Sequence, residues 1–174
     1  MLYTNEEIFN FIEQENVKFI RLVFCDLRGR IKNITIIPSE LPSAFSDGIS
    51  IDASAIKGFG GEVWIDILLF PILSTLTVIS DKLSDSKAAY MFCEIHWPDG
   101  EPFDLDGRRI LNQSVEKAKS KGITICFGSE FEFYLFKTDA DGYPTSETFD
   151  RGGYMDIAPE DKGGNIRSEI CLTL

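Results

Sequence analysis

Five residues, Pro98-Asp99-Gly100-Glu101-Pro102, constrain the fold more than any other stretch of this 174-residue chain. Proline fixes φ and lacks an N–H, and Asp-Gly favours a turn, so neither a helix nor a central strand passes through the segment. The chain therefore reads as two pieces. In the first, Thr4 and Glu7 have capping-box spacing, and Ile8, Phe9, Phe11 and Ile12 suit a short amphipathic helix. Strand patterns follow at 17–26 and 31–37, joined by a turn at Asp26-Leu27-Arg28-Gly29-Arg30. A short helix from Pro38 stops at Asp47-Gly48, and further strands are predicted at 64–70, 74–79 and 88–97. A helix followed by several short strands makes a compact α+β unit.

In the second piece, Asp106 can cap a helix over Gly107–Lys121, with Ile110, Leu111, Val115 and Ala118 at helical spacing and Gly122 just past its end. The longest strand pattern of the chain follows at 123–137, then a hairpin turn at Asp141-Gly142. Gly152-Gly153-Tyr154 opens another extended piece, and a helix is predicted to start at Ile166. A piece this small cannot enclose a sizeable active-site cavity of its own. Either a partner completes it or it belongs to something longer.

Charge and single residues narrow the function. There are 28 Asp+Glu against 17 Lys+Arg, a formal net charge of −11. That counts against a nucleic-acid surface, which draws its affinity from Lys and Arg on phosphates, and it suits a site that collects divalent cations. The only histidine, His96, excludes an HExxH zinc site and leaves a Ser- or Cys-based triad with one possible base. Cys25, Cys93, Cys126 and Cys171 show no CxxC spacing, sit among apolar neighbours and read as small buried hydrophobes in a reducing cytosol. No secretory leader is visible and no apolar run nears the ~20 residues of a membrane span. The expectation is a soluble, cytoplasmic protein without nucleic-acid or membrane partners.

The run with most chemistry is Gly128-Ser129-Glu130-Phe131-Glu132-Phe133-Tyr134-Leu135-Phe136. On a strand, Glu130, Glu132 and Tyr134 share one face, with the two carboxylate-bearing positions roughly 6.5–7 Å apart. At an effective dielectric of about 20, two such charges repel by roughly 2.4 kcal/mol. With no Lys or Arg between Lys121 and Lys137, they need a remote arginine, a raised pKa or metal ions. Mg²⁺ uses one or two carboxylates in this way. The same pattern is also that of a solvated strand face. Gly58-Phe59-Gly60-Gly61 lacks the rest of a phosphate loop and reads as a flexible connector. Asp139-Ala140-Asp141-Gly142 lacks the further ligands of an EF-hand and reads as a turn.

The Gly128–Phe136 run resembles the Gly-Pro-Glu-Pro-Glu-Phe-Phe-Leu-Phe segment of glutamine synthetase, and the similarity extends in order over nearly the whole chain. Residues 17–38, with their Phe-Cys-Asp-Leu-Arg-Gly-Arg turn, are similar to that family's opening hairpin. Ile51-Asp52-Ala53-Ser54-Ala55-Ile56-Lys57-Gly58-Phe59 resembles Phe-Asp-Gly-Ser-Ser-Ile-Glu-Gly-Phe. Asp66 and Pro71 fall at its Ser-Asp and Pro-Asp. Pro98-Asp99-Gly100, Pro102-Phe103 and Asp106-Gly107-Arg108 resemble its entry into the catalytic domain. Gly152–Pro159 and Arg167-Ser168-Glu169-Ile170 resemble the next block of bacterial type I enzymes.

This resemblance implies an α+β fold: a β-grasp-like N-terminal domain at 1–102, then the beginning of a catalytic β-sheet domain at 103–174, incomplete. It implies an ATP-dependent ligase that joins glutamate and ammonium through γ-glutamyl phosphate. Mg²⁺ or Mn²⁺ would be the cofactor, ATP the co-substrate, and other subunits of the same family the partners in a homo-oligomer. Glu130 and Glu132 match the family's metal-binding pair. Asp52 matches the catalytic aspartate that binds ammonium and helps deprotonate it across a subunit boundary. The family's remaining metal ligands and substrate-holding loops would lie beyond Leu174, so the chain alone is expected to be inactive. Ala53, Ala55 and Ile72 depart from the family's Gly, Ser and Asp. They leave open a non-catalytic remnant or interaction module, or a relative that ligates another amine.

Overall fold

The computed structural model of the chain describes residues 4–59, 66–80 and 87–173. At its start the capping box forms as the spacing predicts. The Thr4 hydroxyl accepts from the Glu7 N–H at 3.2 Å, and the Glu7 carboxylate accepts from the Thr4 N–H at 2.7 Å. Helix α1 runs Asn5–Gln14 and buries Ile8 and Ile12, four apart on one face. Strands β1 (Val17–Cys25) and β2 (Ile31–Ile36) form an antiparallel hairpin. Its turn is fixed by Asp26, whose Oδ1 accepts from the N–H groups of Arg28 and Arg30 at 2.8 and 2.9 Å, with Gly29 at φ 73°. These donors, Arg30 foremost, hold the Asp26 carboxyl below its ordinary value.

After a 3-10 turn at Pro38–Glu40 come α2 (Leu41–Ser46), β3 (Ile49–Asp52), β4 (Asp66–Pro71), β5 (Thr77–Ser80) and β6 (Lys87–His96). They complete a six-stranded sheet of order β2-β1-β6-β4-β3, with β5 also on β6. Strand β6 organises it. One edge pairs in parallel with β1; the other takes β5 opposite Lys87–Tyr90 and β4 opposite Cys93–His96, both antiparallel. Where the two meet, the Ile72 N–H donates to the Phe92 carbonyl and the Phe92 N–H to the Thr75 hydroxyl.

The core follows the period of two. Ala89, Met91, Cys93 and Ile95 of β6 and Ile67 and Leu69 of β4 are buried. On β1, Val17 and Ile20 are both buried although three apart, because the register with β6 shifts between Val17 and Phe19. Ile8, Ile12, Leu41 and Ala44 of the helices belong to the same cluster. At roughly 1.5–3 kcal/mol for each fully buried large apolar side chain, this cluster is the main stabiliser of the sheet.

Three features were not in the sequence reading. Strand β3, Ile49–Asp52, has only four residues, too short for its Ile-Ser-Ile-Asp alternation to predict a strand. The predicted connector contains Phe59, which is buried and packs 5.0 Å from Phe103 and 6.3 Å from Phe24; Gly60 and Gly61 lie outside the described residues, as do residues 64 and 65 of the strand predicted at 64–70. The Pro98–Pro102 turn is laced to β6: Trp97 N–H donates to the Glu101 carbonyl and Phe103 N–H to the Ile95 carbonyl.

Asp106 then does two things at once. Its Oδ1 caps helix α3 (Gly107–Lys119) by accepting from the Arg108 N–H at 2.9 Å, and its Oδ2 accepts from the Ile95 N–H at 3.4 Å. The buried carboxylate thus ties α3 to the sheet. By compactness the chain divides into Met1–Ile125 and Cys126–Leu174. The second unit holds a hairpin of β7 (Phe136–Thr138) and β8 (Pro144–Thr148), turned by Asp139 and Gly142, and helix α4 (Gly164–Thr173).

The strand predicted over 123–137 is confined to Phe136–Thr138. Residues 123–135 carry no ladder. Among the described residues their backbone is held at its two ends, where the Ile123 N–H donates to the Ala118 carbonyl and the Leu135 carbonyl accepts from the Phe149 N–H. A strand exists only where a neighbour takes successive N–H and C=O groups. No described helix is long and apolar enough to cross a membrane.

Candidate functional site

Asp52 stands at the end of β3, in register with Asp66 of β4. The chain leaves the strand there into a 3-10 turn at Ala53–Ala55, and Asp52 is its N-cap. Oδ1 accepts from the Ser54 hydroxyl at 2.6 Å and from the Ser54 N–H at 2.8 Å. The Ser54 hydroxyl, then its N–H, lower the Asp52 pKa, so this exposed group is a carboxylate at neutral pH. Ser54 is a partner that sequence reading did not single out; its signal is the Asp-x-Ser spacing of a side-chain-closed turn. Ala53 is buried in the core, so the methyl that replaces the family's glycine is packed rather than exposed.

Glu130 and Glu132 belong to the second unit, within the stretch that has no ladder. Both are exposed, and neither has a hydrogen bond or ion pair with a described residue. Phe131 and Tyr134 beside them are exposed as well. No cluster of three or more His, Cys, Asp or Glu able to hold a metal occurs among the described residues. Two carboxylates supply the hard oxygen donors that Mg²⁺ or Mn²⁺ prefers, as part of a coordination shell.

The other candidates divide the same way. His96 closes β6, its Nδ1 2.9 Å from the Gly100 carbonyl oxygen and its ring 5.0 Å from Phe70, as a strand residue. Cys93 is buried, which pushes its thiol up to about 12. Cys126 and Cys171 are exposed, contrary to the expectation of buried hydrophobes, because the second unit offers no core to bury them. Arg167 grips Asp161 with both guanidinium nitrogens, which lowers the Asp161 pKa, and Asp161 also accepts from the Gly163 N–H just before α4.

The fold and these motifs meet in the comparisons with known proteins. Residues 16–98 match the family described as glutamine synthetase, beta-Grasp domain, and residues 104–174 match glutamine synthetase, catalytic domain. The chain belongs to the glutamine synthetase family. It is 38% identical over 172 residues to a glutamine synthetase of Clostridium saccharobutylicum, which covers 99% of this chain and 39% of that protein. It is 39% identical over 171 residues to that of Thermotoga maritima, covering 98% of this chain and 39% of the relative. For Thermus thermophilus the identity is 38% over 178 residues, with 100% of this chain and 40% of the relative covered.

Among solved structures, a cryo-EM glutamine synthetase of Plasmodium falciparum superposes with a TM-score of 0.72 at 18% identity, over 98% of this chain and 39% of that one. That likeness speaks for the fold. The chain spans about two fifths of the length of the glutamine synthetases it matches. The family boundary, between 98 and 104, and the compact-unit boundary, at 125, differ because Asp106, inside the catalytic-domain match, accepts from the Ile95 N–H of β6.

Proposed function

We propose that this chain supplies the β-grasp-like domain, 1–102, and the first part of the catalytic domain, 103–174, of a cytoplasmic ATP-dependent glutamate–ammonia ligase that works as a homo-oligomer. The observation that carries the reading is the match of residues 16–98 to the beta-Grasp domain and of residues 104–174 to the catalytic domain of glutamine synthetase. The likeness of the sequence around Asp52 and Glu130-x-Glu132 to that family's motifs supports the choice of site residues.

Asp52 would attract ammonium. The Ser54 hydrogen bonds favour that role: a carboxylate held below its ordinary pKa stays charged beside a cation but is a weaker base. Its share in deprotonation therefore depends on how strongly the ammonium is itself acidified on leaving water. Glu130 and Glu132 would hold Mg²⁺ or Mn²⁺, which when bound neutralises charge on the phosphates of ATP during phosphoryl transfer. Exposure of both glutamates leaves them accessible to such an ion. With two protein ligands and water in the remaining positions, the 174 residues by themselves bind the cation weakly, in the millimolar range of sparse carboxylate sites, and do not turn over glutamate.

Mn²⁺ titration followed by water proton relaxation tests the site in wild type, Glu130→Gln, Glu132→Gln and the distant control Glu13→Gln. Both site variants should bind at least about fivefold more weakly while the control matches wild type. Equal binding by all four proteins means that the ion responds only to the net charge of −11, and the metal assignment falls.

A further inference from the structure

Arg108, in the first turn of α3, carries a guanidinium with no hydrogen-bond or carboxylate partner among the described residues. It lies over the Phe92 ring at 5.0 Å. Its Nε is buried with no hydrogen-bond partner, alone in this among the described side-chain atoms. No described carboxylate pairs with the guanidinium. Stacking on an aromatic face fixes the plane of an arginine but leaves its in-plane donors open for an acceptor.

Beside it a groove of about 330 Å³ runs between β6 and α3, within the size range of small-molecule sites. Its charged lining separates into committed and open groups. Asp106 is engaged by the Ile95 and Arg108 N–H groups, and Arg109 by the Pro102 carbonyl and Asp104. Arg108 is open. Glu94 is held only by a 3.7 Å approach to His96, and Glu116 by an exposed contact with Lys119. The Asn112 and Gln113 amides in the same lining have no side-chain partner among the described residues.

A simple anion entering this groove would meet Glu94 and Glu116 as well as Arg108, and a simple cation would meet Arg108. A small molecule with both charges satisfies the set. We propose that the groove between β6 and α3 binds a free α-amino acid, its carboxylate on Arg108 and its ammonium toward Glu94, with Asn112 and Gln113 contacting its side chain. This site is separate from Asp52 and from the Glu130/Glu132 pair, and it requires only the fold of the first unit. Its failure would leave the ligase reading untouched.

The test is an amide-resolved NMR titration of the 174-residue chain with L-serine, acetate and methylammonium, repeated on Arg108→Gln and Glu94→Gln. L-Serine should give saturable shifts at residues 109–113, at least tenfold tighter than either single-charge probe and at least fivefold weaker in each variant. Glu94→Gln removes one charge from an exposed position of β6, and Arg108→Gln removes one from the half-buried first turn of α3. Should Arg108→Gln lose its dispersed spectrum, Glu94→Gln decides by itself. Absence of saturation with L-serine, acetate binding as tightly as L-serine, or an unchanged affinity in Glu94→Gln would each overturn the proposal.

Discussion

The two units of this chain use similar residues to opposite ends. In the first, an apolar side chain at every second position of β6 joins residues of α1 and α2 in one buried cluster, and Ile20, Leu22, Leu69, Ala89 and Met91 are wholly buried. In the second, Gly163 is the only buried residue described, while Phe127 is 89% exposed, Tyr154 91% and Leu172 87%. Local polar bonds shape the second unit instead: Asp139 in its hairpin turn, Lys137 with Glu147 across the strands, Asp150 on the Lys162 N–H, and Asp161 with Arg167. Hydrophobic sequence becomes a core only where enough of it can converge. Polar turn chemistry forms with whatever is near in sequence.

Truncation of a large side chain separates the units most sharply. Leu22→Ala should destabilise the first unit by about 2–5 kcal/mol, the range for a buried leucine replaced in a packed core. Phe127→Ala, a larger deletion on paper, should stay within about 0.5 kcal/mol because its ring is already in solvent. Amide hydrogen exchange in increasing urea, read on β6 for Leu22→Ala and on the β7–β8 hairpin for Phe127→Ala, reports each unit by itself. A loss at Phe127 as large as at Leu22 would mean that the second unit has a core after all.

A smaller effect is expected at the seam. Asp106→Ala removes the α3 cap and leaves the Ile95 N–H without its acceptor, at a cost of about 0.5–2 kcal/mol. Hydrogen exchange should show α3 loosening before the sheet. If α3 and β6 lose protection together, the helix is integral to the core rather than tethered to it.

The smallest effect is the acid response of the second unit. The Arg167 guanidinium holds Asp161 below the ordinary carboxylate range. A depressed folded value means that the contribution of this pair is complete above the unfolded value near ~3.9 and is lost as pH falls through the lower folded one. Carboxyl carbon shifts of Asp161 should therefore titrate below those of a free aspartate, and return toward the ordinary value in Arg167→Gln. Titration at the ordinary value in wild type would show that the pair does not persist in solution.

The sequence by itself determined what depends on neighbours a few residues away. The Thr4–Glu7 capping box, the Asp26–Arg30 turn with Gly29, the Asp106 cap and the Asp141-Gly142 hairpin all form as their spacing predicts, because each closes a hydrogen bond within a turn or two. Strand patterns became strands wherever a partner was present to complete the ladder. Family membership was equally legible, since motifs survive as order and spacing along the chain.

Only tertiary structure decided the rest. It set β6 between β1 on one side and β4 and β5 on the other, carried Phe59 and Phe103 into one core, and turned Asp106 from a cap into a tie to Ile95. It likewise left 123–135 without a ladder, although the longest strand pattern in the chain covers that run. The physical reason is the same in each case. Burial and strand pairing are bargains with distant segments, so a sequence can state which residues are fit for them but not whether, or with which partner, they are met.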